Sequence, residues 1–215
     1  SNDVSVYLDL KIAKDLPIKN ISIDTRTIKK ESLFIAIKGA RFDGNNFVDE
    51  ALSKGASIVL VDNKRFLKTR KKNIIYVKNT ITALKKISEN IIKKYKGNVI
   101  AITGSNGKTS TTNILANSLS NTSKTKGNFN NEIGMPLSLI NASSKSKNIV
   151  LEIGASKIGD INYLSKILKP IVGVITNIGN SHLETLKNIN GVLTVKSEIV
   201  HNIKKNGYLI VPDEN

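Results

Sequence analysis

The stretch Thr103-Gly104-Ser105-Asn106-Gly107-Lys108-Thr109-Ser110 constrains this chain more than any other. It follows an apolar run, residues 99–103, that reads as a buried strand, and it opens a helical pattern over residues 109–120. Glycines let the backbone turn tightly and aim its N–H groups inward. The helix start adds partial positive charge where a phosphate would sit. Lys108 can reach terminal phosphates as a point charge, and Thr109 can offer its hydroxyl to Mg²⁺. Gly104, Ser105, Asn106, Gly107, Lys108, Thr109 and Ser110 are therefore the expected residues for the phosphates of a nucleoside triphosphate. The general pattern wants a glycine five residues before Gly107, where Ile102 stands. The loop is the shorter G-x-x-G-K-T form.

The surrounding rhythm fits that loop. Residues 149–153 and 171–176 read as further apolar strands, and 208–211 as a fourth. Residues 160–168 and 191–205 read as the helices between them. Continuous apolar strands alternating with helices predict an α/β fold with a parallel sheet covered on both faces. Upstream, residues 21–23, 33–37, 57–61 and 74–77 read as strands, with a short helix over 47–54 closed by Gly55. Residues 79–96 carry helical spacing ended by Gly97. The expected organisation is a small α/β domain over 1–78, a connecting helix over 79–97 and an incomplete phosphate-loop domain over 98–215. The last strand ends just before the chain does, so the sequence reads as truncated.

Charge and composition narrow the partners. Lys plus Arg number 33 against 17 Asp plus Glu, a net charge of +16, which favours anionic ligands. The basic residues are spread along the chain, and five Phe, five Tyr and no Trp offer little for base stacking. No nucleic-acid partner is expected. The absence of Cys excludes disulfides, Cys-ligated zinc and a thiol nucleophile. No apolar run reaches the ~18–20 residues of a membrane span, so no membrane insertion is expected. The first residues lack a basic start and an apolar block, which points to a cytoplasmic protein.

Three further residues bear on chemistry. Glu152 ends a buried strand, and in a parallel sheet such ends form the ligand crevice. That suits it to hold Mg²⁺ near Thr109. His182 follows the next strand end and is placed for metal or phosphate contact. Lys196 has helical neighbours Val192, Leu193, Ile199 and Val200, all apolar, which puts it on the buried face of its helix. An unpaired buried ammonium costs several kcal/mol, so Lys196 must be paired, shifted in pKa or modified.

Taken together these residues resemble the Mur ligases of peptidoglycan synthesis. The resemblance runs through Ser22-Ile23-Asp24-Thr25-Arg26-Thr27, Arg41-Phe42-Asp43-Gly44, the phosphate loop and Asn128-Phe129-Asn130-Asn131-Glu132-Ile133-Gly134. It continues through Glu152-Ile153-Gly154-Ala155-Ser156, Thr176-Asn177-Ile178-Gly179-Asn180-Ser181-His182 and Lys196-Ser197-Glu198. It is nearest to the members that add D-alanyl-D-alanine. The resemblance makes 1–78 a substrate domain and 98–215 an ATP-binding domain. It implies that Ser22, Thr25, Arg26, Phe42, Asp43 and Gly44 cradle the UDP part of a UDP-MurNAc-peptide. Asn130, Asn131 and Glu132 would line the substrate and γ-phosphate region, with Asn180 among the nucleotide contacts. Thr109, Glu152 and His182 match metal positions, and Lys196 matches a lysine that is carbamylated in related ligases. Lys108, Lys196, Glu152 and His182 would then be catalytic, with ATP and Mg²⁺ as cofactors and a monomer as the assembly. The implied reaction is phosphoryl transfer to the substrate carboxylate, followed by attack of the dipeptide amine. The family's further C-terminal domain is absent, so this chain alone is expected to be inactive. A sister ligase adding a diamino acid, and a non-catalytic module that binds a UDP precursor or nucleotide, are the alternative readings.

Overall fold

A computed structural model describes residues 18–213, which fall into two compact units, one through Ile91 and one from Ile92. The first unit is built on a four-stranded sheet of β1 (Asn20–Ser22), β2 (Ser32–Ile35), β3 (Ala56–Val61) and β4 (Ile74–Tyr76), in the order β1-β2-β3-β4. All three pairings are parallel. β2 is buried throughout and β3 nearly so, which accounts for their unbroken apolar sequences. Helix α1 (Val48–Ser53) covers one face through Val48 and Ala51, packed with Phe34, Val59 and Val61. Gly55, just past its end, has φ 102°, the left-handed conformation that closes helices. Helix α2 (Thr80–Lys94) follows.

Parallel pairing brings the ends of β1, β2 and β3 to one edge of this sheet. A buried amide organises that edge. Asn45 donates to Asp43 Oδ1 (2.7 Å) and Asp62 Oδ1 (3.0 Å), and its Oδ1 accepts the amides of Asp62 and Asn63 (3.2 Å each). Asp62 in turn accepts the Thr80 hydroxyl at 2.9 Å, which fixes the start of α2. Asn45→Ala would strand four partners at once. It is expected to cost about 2–4 kcal/mol, read as a lowered urea midpoint; a loss under about 1 kcal/mol would refute this role.

The second unit holds a five-stranded parallel sheet. Its strands are β5 (Asn98–Thr103), β6 (Thr122–Lys124), β7 (Asn148–Glu152), β8 (Val172–Ile175) and β9 (Tyr208–Ile210), in the order β6-β7-β5-β8-β9. Alternate residues of β5 face opposite sides. Val99 and Ala101 pack with Ile149, Leu151 and the helices α4 (Gly134–Ile140), α5 (Asp160–Leu168) and α7 (Ile189–Ser197). Ile100 and Ile102 pack with Val150 and Val174 beneath α3 (Lys108–Ser118). The sheet is thus covered on both faces, as the apolar runs predict. A short helix, α6 (Leu183–Leu186), lies between β8 and α7. No helix among the described residues is long and apolar enough to cross a membrane.

Several expectations need correction. The helix expected over 47–54 is present as α1, Val48–Ser53, but it is entered through a 3₁₀ turn, Gly44–Phe47, that the sequence did not signal. The helix expected over 191–205 starts at Ile189 and stops at Ser197, where a 3₁₀ turn, Glu198–Asn202, takes over. The tighter winding turns Val200 (47% exposed) out of the stripe, and Leu193 (48% exposed) lies at the stripe's outer margin within α7 itself, whereas Val192, Val195, Lys196 and Ile199 form the buried face. The sequence reading also omitted β6, α4 and α6.

Candidate active site

In the register of the central sheet Ile102 lies opposite Glu152 and Thr103 opposite Ile175, so β5, β7 and β8 end side by side. The chain leaves each strand into one cleft of about 540 Å³. The phosphate loop contributes Gly104, Ser105 and Lys108. The segment after β6 gives Asn128, Asn130, Asn131 and Glu132, and the segment after β7 gives Gly154, Ala155 and Ser156. Ser181 and His182 follow β8; Asp160, Tyr163 and Leu164 come from α5 and Lys196 from α7. Of the expected site residues in this unit, Asn106, Gly107, Thr109, Ser110, Glu152 and Asn180 stand outside the lining.

The loop has the geometry its glycines allow. Gly104 and Gly107 have φ of 143° and 79°. A Cβ on Gly104 would fall 1.9 Å from Thr176 Oγ1, so no other residue fits there. Gly107 caps α3, whose first N–H groups have no intrahelical acceptor. Lys108 folds back, its Nζ donating to the carbonyls of Gly104 (2.7 Å) and Ser105 (3.1 Å). Burial pushes its pKa down, and Glu152 partly opposes that.

Glu152 is 1% exposed, which rules out a solvated strand end. Its backbone N–H donates to Thr125 Oγ1 at 2.9 Å, and its Oε2 accepts the Thr109 hydroxyl at 3.3 Å. A buried carboxylate beside a hydroxyl at a helix N-terminus is a hard-oxygen donor set of the kind Mg²⁺ takes. Among the described residues no group of three or more His, Cys, Asp and Glu could hold a metal. A cation here would therefore also depend on ligand oxygens. His182, at φ 50°, is exposed, and its carbonyl accepts the amides of Thr185 and Leu186 at the start of α6.

Lys196 is 1% exposed and faces the cleft from the buried side of α7. Burial above all, then the nearby Lys108 charge, lowers its pKa to about 8, while Asp160 acts in the opposite sense. Sequence reasoning missed the residues that frame it. Asp160 Oδ2 accepts the Ser156 amide (2.9 Å) and hydroxyl (3.1 Å) and the Lys157 amide (3.0 Å). Glu198 reaches across from the turn after Lys196 and accepts the amides of Gly159 (2.6 Å) and Asn162 (2.9 Å), capping α5 from outside. An acidic residue at the start of a helical pattern was the signal for Asp160, and Glu198 stood only within the stretch 196–198 that carries the resemblance, with no sign of what it caps.

The loop carrying Asn130, Asn131 and Glu132 is held at two points. The Gly154 amide donates to the Asn130 carbonyl at 2.7 Å, and Asn131 Oδ1 accepts the amides of Ile133 (3.1 Å) and Gly134 (2.8 Å) at the start of α4.

In the first unit, the expected substrate residues follow β1 and β2 at the organised edge. Ser22 Oγ donates to the Asp24 carbonyl (2.8 Å), and Thr25 donates to Glu50 Oε1 (2.9 Å). Arg26 forks onto Asp24 through Nε (3.0 Å) and Nη2 (2.6 Å), and this holds the Asp24 pKa down. Phe42 is 73% exposed at the turn tip. Asp43 is lowered in pKa by the Asn45 side chain, and a Cβ on Gly44 would lie 2.7 Å from the Ile37 nitrogen.

Comparison with known proteins gives concordant matches. The model of the Mur ligase family catalytic domain matches residues 17–97, and that of the Mur ligase middle domain matches residues 102–215. The chain is 38% identical over 196 residues to the UDP-N-acetylmuramoyl-tripeptide–D-alanyl-D-alanine ligase of Bacillus subtilis, covering 90% of this chain and 43% of that protein. It is 32% identical over 204 residues to the Escherichia coli ligase of the same name, covering 94% and 44%. Among solved structures it resembles MurF from Acinetobacter baumannii (TM-score 0.83, 35% identity, covering 92% of this chain and 44% of that one). It also resembles MurF ligase from Thermotoga maritima in complex with ADP (TM-score 0.83, 34% identity, covering 94% and 47%). The chain spans under half the length of these relatives.

Proposed function

Because the chain belongs to the Mur ligase family, we propose that it supplies the substrate-binding and nucleotide-binding parts of an ATP-dependent ligase that joins D-alanyl-D-alanine to UDP-MurNAc-tripeptide. The observation that carries this reading is the single cleft into which Lys108, Lys196, His182 and the 130–132 loop all open, beside the Glu152–Thr109 pair. In this reading residues 1–78 hold the UDP moiety, 79–97 connect, and 98–215 bind ATP. The proposed cytoplasmic setting and the monomer follow from the same assignment.

The reaction needs several anions aligned in one place. An oxygen of the substrate carboxylate attacks the γ-phosphorus, and the bond to the ADP oxygen breaks, leaving an acyl phosphate. The amine nitrogen of the dipeptide attacks the acyl carbon, phosphate departs with its electron pair, and the amine loses a proton. Lys108 and the first amides of α3 bind and orient the phosphates. Glu152, Thr109 and His182 would hold Mg²⁺, which supplies charge neutralisation when bound. The neutral Lys196 amine can add CO₂ and release a proton to give a carbamate. That converts a buried cation into an anion able to serve a second cation. Asn130, Asn131 and Glu132 would orient the acceptor end of the substrate, with Ser105 and Asn180 near the nucleotide.

Calorimetry of the chain with Mg-ATP, and separately with UDP-MurNAc-tripeptide, tests the reading. One saturable site for each is expected. A chain that takes neither ligand up would overturn it.

A further inference from the structure

The phosphate loop is too short to brace itself. Only two residues, Ser105 and Asn106, separate its glycines, where the general form has four. A loop with fewer internal turns has fewer internal hydrogen bonds to hold it, yet its buried polar groups must still be satisfied. The partners come from the segment that follows β8. The Ser105 amide donates to the Asn177 carbonyl at 3.2 Å, and the Asn106 amide donates to Asn177 Oδ1 at 2.8 Å. The Thr176 amide donates to the Thr103 carbonyl at 2.9 Å, and its hydroxyl donates to the Asn106 carbonyl at 2.5 Å. The Ser105 hydroxyl accepts the Gly179 amide (3.0 Å) and donates to the Gly179 carbonyl (2.8 Å). The absence of a Cβ on Gly104 is what lets the two segments lie this close.

We propose that Asn177 is a positioning residue for phosphate binding: by taking up the amides of Ser105 and Asn106, it restricts the anion nest to the amides of Gly107, Lys108 and Thr109 at the start of α3. This deepens the nucleotide reading above and rests on it. A phosphate in the longer loop form is wrapped by successive loop amides. Here two of those amides point into protein, and the ones left free lie on the helix axis, where the dipole is strongest. Lys108, whose Nζ sits on the carbonyls of Gly104 and Ser105, is set by the same brace. The braced segment runs directly on to Ser181 and His182, which line the cleft. Loop posture and the placement of His182 are therefore one mechanical unit, with Asn177 as its hinge pin.

The test titrates the ¹⁵N-labelled wild-type chain with Mg-tripolyphosphate and with Mg-ATP. Amide shifts are expected at Gly107, Lys108 and Thr109, with Ser105 and Asn106 little moved and slow to exchange with deuterium. Asn177→Ala removes the Oδ1 that accepts the Asn106 amide and keeps the carbonyl on Ser105, and is expected to weaken both ligands by about tenfold. It should do so at temperatures where circular dichroism shows the chain folded, with the affinity for UDP-MurNAc-tripeptide unchanged. Largest shifts at Ser105 and Asn106 in the wild type would overturn the proposal without any variant. Affinity within twofold of wild type in Asn177→Ala would overturn it as well. In either case the nucleotide reading survives. A wild-type chain that binds neither phosphate ligand would remove that reading and the proposal together.

Discussion

Lys108→Ala is expected to weaken Mg-ATP binding at least a hundredfold in calorimetry, while Lys108→Arg recovers only part of the affinity. The ammonium is held by two loop carbonyls, 2.7 and 3.1 Å away, at the mouth of the cleft. Its site is desolvated enough to lower its pKa, and a charge in such a place interacts more strongly with phosphate than it would in water. Alanine removes that charge and also leaves the carbonyls of Gly104 and Ser105 facing the incoming anion. Both effects oppose binding. Arginine keeps the charge, but its planar fork cannot sit as a point donor on two adjacent carbonyls. Affinity within threefold of wild type in Lys108→Ala would refute the assignment.

The second large effect concerns stability and pH. Lys196 has its pKa lowered from 10.5 to about 8, chiefly by burial. Between those values the unfolded chain binds more protons than the folded one, so this residue's contribution rises as pH rises from about 8 towards 10.5. Below pH 8 the cost of holding the group in the folded state is felt in full. Lys196→Met, which fills a similar volume without charge, is therefore expected to be more stable than wild type at pH 7 by ~3 kcal/mol. The advantage should shrink steadily above pH 8. Urea titrations at pH 7 and 10 in CO₂-free buffer measure both points, and equal stability at pH 7 would refute the burial cost. With ¹³C-bicarbonate, wild type should gain a carbamate signal that Lys196→Met lacks. In a full-length enzyme, Lys196→Ala should lose activity that small carboxylic acids partly restore.

Much of this was legible because single side chains carried strong local constraints. β5 and β7 are unbroken apolar runs because both their faces are covered, and Lys196 stood out because an apolar stripe surrounds it. The stripe itself was misread where α7 tightens into 3₁₀ winding, since a period of 3.0 no longer predicts the same face as 3.6. Helix α4 was missed because all seven of its residues are buried, so it shows no polar face and no periodicity. β6 was missed for the opposite reason: Thr122, Ser123 and Lys124 are short and polar, on a sheet edge. Within the site, the phosphate loop, Glu152 and Lys196 could be found one residue at a time. The roles of Asn45, Asn177 and Glu198 could not, because each acts by satisfying backbone groups distant in sequence, 18, 71 and 39 residues away.

The strand order also sets a timetable. β5 is made first of the central sheet, yet it is flanked by β7 and β8, which come off the ribosome much later. The loop after β5 meets its Asn177 partner only once about seventy further residues have been synthesised, and closing so long a chain is slow. A nascent chain halted before residue 176 therefore carries every residue of the phosphate motif and none of its brace. The motif is complete as a sequence well before it exists as a shape.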